Sequence, residues 1–511
     1  MAERNTRAVS DHATDHATDH ATDHANDLTT DRAERFRASL RAYGRNATSF
    51  QLLESDFRVW FDESVGSDTT LRDTTLRDTS EGEVQPAEPL GVHSRHAASC
   101  AVAYVDTGSA WVVGGEPLAP EHEVHAVAER FLDAAQRAGK RAAFFATEGR
   151  LVTSPRFERL LLGQQPVWDP AEWDNTVHAS RSLRSQIRRA QSKNATVREL
   201  QINEIARGTP LRIELDALVQ RWQAARAMAP MGFLVRLEPF THAEQRHLFV
   251  AEQDGRVVAL LSMAPVYQRN GWLFEDLLRD RTAPNGTSEL LVDAGMRRIA
   301  QDGVRWATLG FAPLAGPVMP WLARVRTMAT PFFNFRGLYA FKAKLHPHTW
   351  EPIWLAHPAS TPWWRALADA LTAFANGSLF GFAWRTLCRG PQPVLLAMLL
   401  LLIPWTFVLA ALDTARWYPE PWMQTAWVTF DTVLVIALAL LVRRWRSWLG
   451  VTIATAVSVD ATITLWNAVT WYGPRISSVT DALLTTIACA APLLAAVVLW
   501  GTVRRQRHSG A

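Results

Sequence analysis

"WLFEDLLRDRTAPNG" (residues 272–286) is an apolar run that carries two adjacent acids, Glu275 and Asp276, then Arg279, and then Pro284-Asn285-Gly286. The run reads as a strand and the Pro-Asn-Gly group as the turn that closes it. Helical spacing follows over about 288–302, with Glu289 in the first turn and Arg297 and Arg298 near the end, as the helix dipole prefers. Successive strand side chains point to opposite faces, so Asp276 is expected beside Trp272 and Phe274, with Glu275 across the sheet. A carboxylate on a largely apolar face needs a partner or a chemical role. Arg279 is the candidate partner; the plain alternative is a salt bridge that only pins the strand end. The helix start after Asn285 offers free backbone N–H groups to an anion or a developing oxyanion.

The surroundings repeat this logic. Asp254-Gly255 between two apolar runs is a hairpin signal, and "VRWATLGFAP" (304–313) is the strand after the helix. Further upstream, "AVAYVDTG" (101–108) and "AWVVGGEP" (110–117) read as two strands. A helix with an apolar face at Val124, Val127, Phe131 and Ala135 follows, stopped at Gly139, and "RAAFFATE" (141–148) is the next strand. Two such units predict a duplicated mixed α/β acyltransferase architecture. The single glycine of the 284–286 turn argues against a CoA pyrophosphate cradle. His122 and His125 have the wrong spacing for two metal ligands on one helix face, so no metal site is expected.

At 511 residues the chain is too long for one ordinary domain. Its net charge of +3 announces no nucleic-acid binder, so the distribution of charge matters more. The three cysteines, Cys100, Cys388 and Cys489, lie far apart, which suits a reducing compartment. The polar N-terminus carries no cleavable signal pattern. Residues 11–26, "DHATDHATDHATDHAN", form a tetrad repeat with no apolar face and read as a disordered tail; 70–89 reads as a polar inserted loop. Four apolar runs close the chain: Pro393–Leu412, Pro421–Val442, Leu449–Trp471 and Ala482–Val503. Arginines flank them unevenly, which predicts four spans with both termini and the large N-terminal part at the cytoplasmic face of the inner membrane. Trp363, Trp364, Leu367, Leu371 and Phe374 fall on one helical face just before the spans. They suggest a helix lying in the membrane interface, with an ordinary packing helix as the alternative. The expected divisions are a tail at 1–33, α/β domains at 34–175 and 176–357 (the second catalytic), an interfacial linker at 358–390 and a four-helix membrane region at 391–505.

Two more stretches carry chemistry. "SRSLRSQIRRAQSKNATVR" (180–198) holds Arg181, Arg184, Arg188 and Arg189 and no acid. The first three share a helical face and suit a polyphosphate, whether tRNA or anionic lipid headgroups; a merely solvated basic surface is the alternative. "FRGLYAFKAKLHPHTWEP" (335–352) places Lys342 and Lys344 two apart, beside Arg336 and Tyr339.

In order and spacing, "EDLLRDRTAPNG", "TLGFAPLAG" and "FRGLYAFKAKLHPHTWEPIWLAHP" resemble the C-terminal synthase domain of the multiple peptide resistance factors. "LLLGQQPVWDP" and "SLRSQIRRA" resemble the segment before it, so the resemblance covers about residues 90–358. Those proteins are bacterial lysyl- and alanyl-phosphatidylglycerol synthases. The resemblance implies tandem GNAT-like domains and transfer of an amino acid from aminoacyl-tRNA to a lipid hydroxyl, usually of phosphatidylglycerol, without a cofactor. By motif it points to Asp276 and Arg279 (with Leu278 where the family has Met), Gly310 and Pro313 (with Phe311 for Met), Lys342 and Lys344, and Arg184 or Arg188. Asp276, Arg279 and Lys344 are then the candidate catalytic residues. Lys342, Gly310, Pro313, Glu289 and Asn285 are the candidate substrate contacts, and Arg181, Arg184, Arg188 and Arg189 the tRNA contacts. Fuller family members carry a multi-span flippase region ahead of the synthase; here four apolar runs follow it, so lipid flipping is not expected. Two alternatives stay open. One is an acyl-CoA-dependent N-acyltransferase. The other is a non-catalytic lipid-binding module in which the intramembrane acids Asp431 and Asp460 are the functional residues. The transferred amino acid depends on pocket shape, which spacing does not encode.

Overall fold

The structure, a computed structural model, describes residues 31–65, 98–153, 155–226, 228–315, 334–387, 391–411, 420–443 and 445–508. The polar repeats at 11–26 and 70–89 lie outside the described residues. The chain forms two compact units, one of 1–223, 231–326 and 335–378, the other of 224–230, 327–334 and 379–511.

The first unit is built on one mixed sheet. Its first half contains a helix over 31–43 (α1), β1 (Arg58–Phe61), β2 (Ala101–Asp106), β3 (Ala110–Gly114), α2 (Val124–Arg137), β4 (Arg141–Thr147) and β5 (Phe157–Trp168). After α3 (Trp173–Ala179), α4 (Arg181–Gln191), β6 (Ala195–Glu199) and α5 (Pro210–Ala224), the second half repeats the pattern. It has β7 (His247–Gln253), β8 (Arg256–Val266), β9 (Gly271–Arg279), α6 (Thr287–Gln301), β10 (Trp306–Thr308), β11 (Ala312–Pro313), α7 (Phe335–Lys344) and β12 (Thr349–Pro358). In each half two parallel strands, β3 with β4 and β9 with β10, are joined through a helix.

The halves then exchange their last strands. The order is β1-β2-β3-β4-β12-β5-β10-β9-β8-β7-β6, with β11 against β5. Thus β5 of the first half lies beside β10, and β12 of the second lies beside β4. The two exchanged strands pair antiparallel from Thr349↔Val167 to Pro358↔Phe157.

The local chemistry explains most elements. Asp254 and Gly255 both take positive φ (51° and 79°), as a two-residue hairpin of type I′ needs, and Gln253 pairs with Arg256 across it. In α2 the expected face, Val124, Val127, Phe131 and Ala135, is fully buried. The basic helix α4 buries only Leu183, Ile187 and Ala190, against a core that includes Trp173, Phe274 and Leu291. The strand expected over 304–313 is broken: β10 stops at Thr308, and β11 joins β5 instead of β9.

The Trp-rich helix α8 (Trp363–Phe374) is a docked helix. Ala366, Ala370 and Ala373 enter a core with Phe145, Phe233 and Leu355. Its Asp369 accepts from Arg141 Nε at 2.8 Å and Nη2 at 2.6 Å. Leu367 and Phe374 also pack inward, so the expected lipid-facing stripe is split, leaving Trp363, Trp364 and Leu371 exposed.

The second unit is helical: α9 (Leu379–Leu387), α10 (Pro391–Ala411), α11 (Pro421–Arg443), α12 (Ser447–Asn467) and α13 (Val479–His508). Among the described residues three stretches are long and apolar enough to cross a membrane: Trp422–Val442, Ser447–Arg475 and Val479–Arg504. The searched apolar part of α10, Leu395–Ala411, is shorter, so three of the four expected spans are matched at that length among the described residues.

Gly163 sits where β5, β11 and β12 meet, paired with both Pro313 and Ile353. Its φ is +153°, and an added Cβ would lie 2.4 Å from Ala312 O and 2.9 Å from Leu314 N. Gly163→Ala is expected to cost roughly 2–4 kcal/mol through clash and strain together. Gly108→Ala, at φ +90° with nothing near the added Cβ, should cost only about 1 kcal/mol. Chemical unfolding of the two variants checks this; equal costs would mean the junction has slack.

Candidate functional site

β10 pairs with β9 only over Trp306–Thr308 against Gly271–Leu273. β9 then runs on to Arg279, and among the described residues no strand pairs with it on that side. The parallel pair therefore splays at its carboxyl end. In open α/β sheets, ligands enter where neighbouring strands part at their carboxyl ends. The second half of β9, the 309–311 segment and the start of α6 all belong to this end.

The acids of β9 do not alternate. Ser262 pairs with Asp276 and Met263 with Phe274, which leaves Glu275 as the extra residue of a β-bulge. Trp272, Phe274 and Leu277 share one core, while Leu273 and Leu278 enter cores on the other face. The bulge so takes both carboxylates off the face of Trp272 and Phe274, correcting the expected separation of Glu275 from Asp276. Arg246 forms a buried ion pair with Glu275, and its Nη1 also donates to Ser262 Oγ at 3.1 Å. Among the described residues no ion pair joins Asp276 to Arg279; Arg246 is the cation that acts on both acids.

The electrostatics of this cluster favour bound protons. Burial, and then the neighbouring Glu275 charge, raise Asp276 well above the usual carboxylate range, with Arg246 opposing them. Burial, helped by Glu275 and Glu238, pushes Glu54 up to about 9. A carboxyl whose pKa is raised is a stronger base when ionised and, once protonated, returns the proton, as general acid–base chemistry requires.

Helix starts and lysines shape the opening. Gly286 (φ +98°) lies so close to α4 that an added Cβ would meet Gln186 O at 1.9 Å, so the turn before α6 rests on the basic helix. Asn285 is exposed there and Glu289 buried. Lys344 Nζ pairs with Glu289 Oε1 at 2.8 Å, which brings together two residues singled out separately in the sequence. Lys342 is buried, and its Nζ donates to the carbonyls of Leu309, Gly310 and Phe311 at 2.8, 2.8 and 2.9 Å. Burial pulls Lys342 down to about 7, while the three accepting carbonyls favour its charged form. With all three donors engaged on these carbonyls, Lys342 fixes the segment around Gly310. Pro313 is held in the sheet against Gly163.

The basic helix divides as well. Arg184 turns back to donate to the carbonyls of Val177 (3.1 Å) and His178, tying α3 to α4. Arg181, Arg188 and Arg189 are exposed, and among the described residues they pair with no acid. Arg246, Ser262 and Glu54 escaped the sequence reading. Each meets β9 only through long-range pairing, and nothing in "THAEQRHLFV" (241–250) marks Arg246.

Comparison with known proteins places this arrangement. The family model for the C-terminal part of phosphatidylglycerol lysyltransferase matches residues 91–357. A lysylphosphatidylglycerol biosynthesis bifunctional protein, LysX, of Gordonia bronchialis is 25% identical over 267 residues, 48% of this chain and 23% of that protein. The match thus spans less than a quarter of that relative's length. Among solved structures, the C-terminal domain of a candidate lysylphosphatidylglycerol synthetase from Agrobacterium fabrum superposes with a TM-score of 0.53 at 21% identity, covering 68% of this chain and 99% of that one. L-PGS from Bacillus licheniformis gives 0.51 at 19% identity, covering 66% and 95%. These two show a shared fold.

The raised Glu54 makes a signed prediction. The folded chain keeps a proton there up to about pH 9, whereas the unfolded chain releases it above about pH 4–5. Its contribution to stability is therefore complete below pH 4 and lost as pH rises towards 9. Glu54→Gln should gain on the wild type steadily between pH 5 and 9 in urea unfolding. A gap independent of pH would mean that Glu54 is already ionised.

Proposed function

The chain belongs to the phosphatidylglycerol lysyltransferase C-terminal family, and from this premise we propose that it moves an amino acid from aminoacyl-tRNA to the hydroxyl of an anionic lipid, phosphatidylglycerol first among them. The observation that carries the reading is the splayed end of β9, where a buried Asp276, its proton affinity raised by burial, stands beside an open strand edge. The doubled strand–helix–strand pattern supports a tandem GNAT-like ancestry for the two halves.

An aminoacyl ester is already activated, so the proposed reaction calls for no nucleotide or metal. The lipid hydroxyl attacks the ester carbonyl and gives its proton to Asp276. The developing oxyanion is held by donors at the splay, with Arg279, which forms no ion pair among the described residues, the nearest cation in sequence and the amides at the start of α6 the alternative. The carbonyl–oxygen bond to the tRNA ribose then breaks, and the proton passes from Asp276 to the leaving 3′ oxygen. Lys344, paired with Glu289, sets the position of the α6 start. Exposed Arg181, Arg188 and Arg189 receive the tRNA phosphates. The candidate spans anchor the enzyme, the exposed Trp364 and Leu371 of α8 rest at the lipid surface, and the positive-inside rule puts the catalytic unit at the cytoplasmic face.

The test is a lipid-extract assay with charged tRNA and phosphatidylglycerol vesicles. Asp276→Asn should lower kcat by roughly 10²–10⁴-fold. Lys344→Ala should also lower it, through the loosened α6 start. Replacing Arg181, Arg188 and Arg189 together by Glu should raise KM for tRNA and flatten its salt dependence, with little change in kcat. Full transfer by both Asp276→Asn and Lys344→Ala would refute the assignment.

A further inference from the structure

The second unit holds a cavity that the transfer reaction does not use. It measures about 80 Å³ and is lined from four helices, including Trp405 and Leu409 of α10, Trp427 and Asp431 of α11, and Asp460 of α12. From α13 come Thr485, Ala488 and Pro492. Two carboxylates on neighbouring candidate spans thus face one small space.

The polar groups around it are under-used. Asp431 is 7% exposed, and among the described residues its Oδ2 has no hydrogen-bond partner. Thr485 is 9% exposed, and its Oγ1 is likewise without one among the described residues. Thr464, which also lines the cavity, approaches Asp460 at 3.4 Å. Pro492 has no N–H to give to the Ala488 carbonyl four residues earlier, so that oxygen lacks its usual helical donor. Buried oxygens in an apolar bundle are costly unless something satisfies them. Here nearly all the orphans are acceptors, and indole rings flank them. Acceptor oxygens, acids and aromatic faces together recognise a cation.

We propose that this cavity is a binding site for a monovalent cation, an inorganic ion or a primary ammonium group, held by Asp431, Asp460, Thr485 and the Ala488 carbonyl. Its volume admits an ion of that size. The site stands or falls separately from the transfer reaction, because none of its residues belongs to the sheet unit.

The test uses the full chain in phosphatidylcholine nanodiscs. Its thermal midpoint is followed in sodium, potassium, ethylammonium and choline chlorides at equal ionic strength. At least one of the first three should raise the midpoint saturably over choline. Asp431→Asn should abolish the rise, and Thr485→Val should weaken half-saturation at least threefold. A sodium or potassium response identifies an inorganic ion; a preference for ethylammonium identifies an amine-bearing ligand. Equal midpoints in all four salts would overturn the proposal, as would an Asp431→Asn protein that responds like the wild type. Should Asp431→Asn not fold, Asp460→Asn takes its place, with an unchanged response again decisive against the site.

Discussion

The antiparallel pairing of β5 with β12 is the constraint on which the sheet unit depends. Each half contributes its last strand to the other half's parallel pair, so neither parallel pair is flanked correctly without the exchange. A polar network reinforces the crossing. Gln165 on β5 donates to Glu148 at 3.2 Å and to Glu351 on β12 at 2.9 Å, and Arg269, just before β9, joins both acids. Removing Arg269 would leave the buried Glu148 without its cation, at a cost of about 3–5 kcal/mol. The network therefore ties the start of β9 to the centre of the sheet, and the carboxyl end of β9 inherits that fixed origin.

From this origin the site follows by local departures from regular structure. β10 ends after three paired residues because Thr308 Oγ1 bonds to Pro166 O at 2.7 Å and accepts from Gly310 N at 3.0 Å, turning the chain away. Lys342 then clamps the turned segment by three carbonyls. On the other side of the gap the bulge at Glu275 places two acids next to a single buried arginine. One cation cannot fully neutralise two carboxylates in a low-dielectric surrounding, so proton binding there is favoured. Glu275 has the direct ion pair with Arg246, and burial with the Glu275 charge raises Asp276. The first half shows the contrast. After β4, Glu116 Oε1 accepts from the backbone N–H of Glu148, Gly149 and Arg150 at 3.0–3.1 Å. The amides of that loop are already satisfied by the chain's own carboxylate.

Much of the architecture was legible in the sequence because it rests on short-range chemistry. The Asp254-Gly255 hairpin, the buried stripe of α2, the strand before Pro284 and the helix after Gly286 all follow from spacing and turn residues. The exchange of β5 and β12 was not legible, since both strands read the same whichever neighbour they choose. The bulge at Glu275 was hidden for a similar reason. Alternation is a rule of regular strands, and only the register against β8 reveals the extra residue. Of the candidate site, Asp276 and Lys344 were singled out by their motif and Glu289 by its place in the first turn of a helix. The roles of Lys342 and Arg184 changed once their donors were seen bonded to carbonyls. Arg246 and Glu54 come from segments far from β9 and had no local signal. The Trp-rich helix was half read: its small residues, not its large ones, decided which face would dock.

The central claim is that this chain makes an aminoacylated lipid. It is tested most directly by mass spectrometry of total lipids from cells with and without the protein, under matched expression. The account predicts a new lipid in the expressing cells, heavier than an anionic phospholipid by one amino-acid residue and hydrolysed by mild base to that lipid and a free amino acid. An unchanged lipid profile, with the protein present in the membrane fraction, would contradict it.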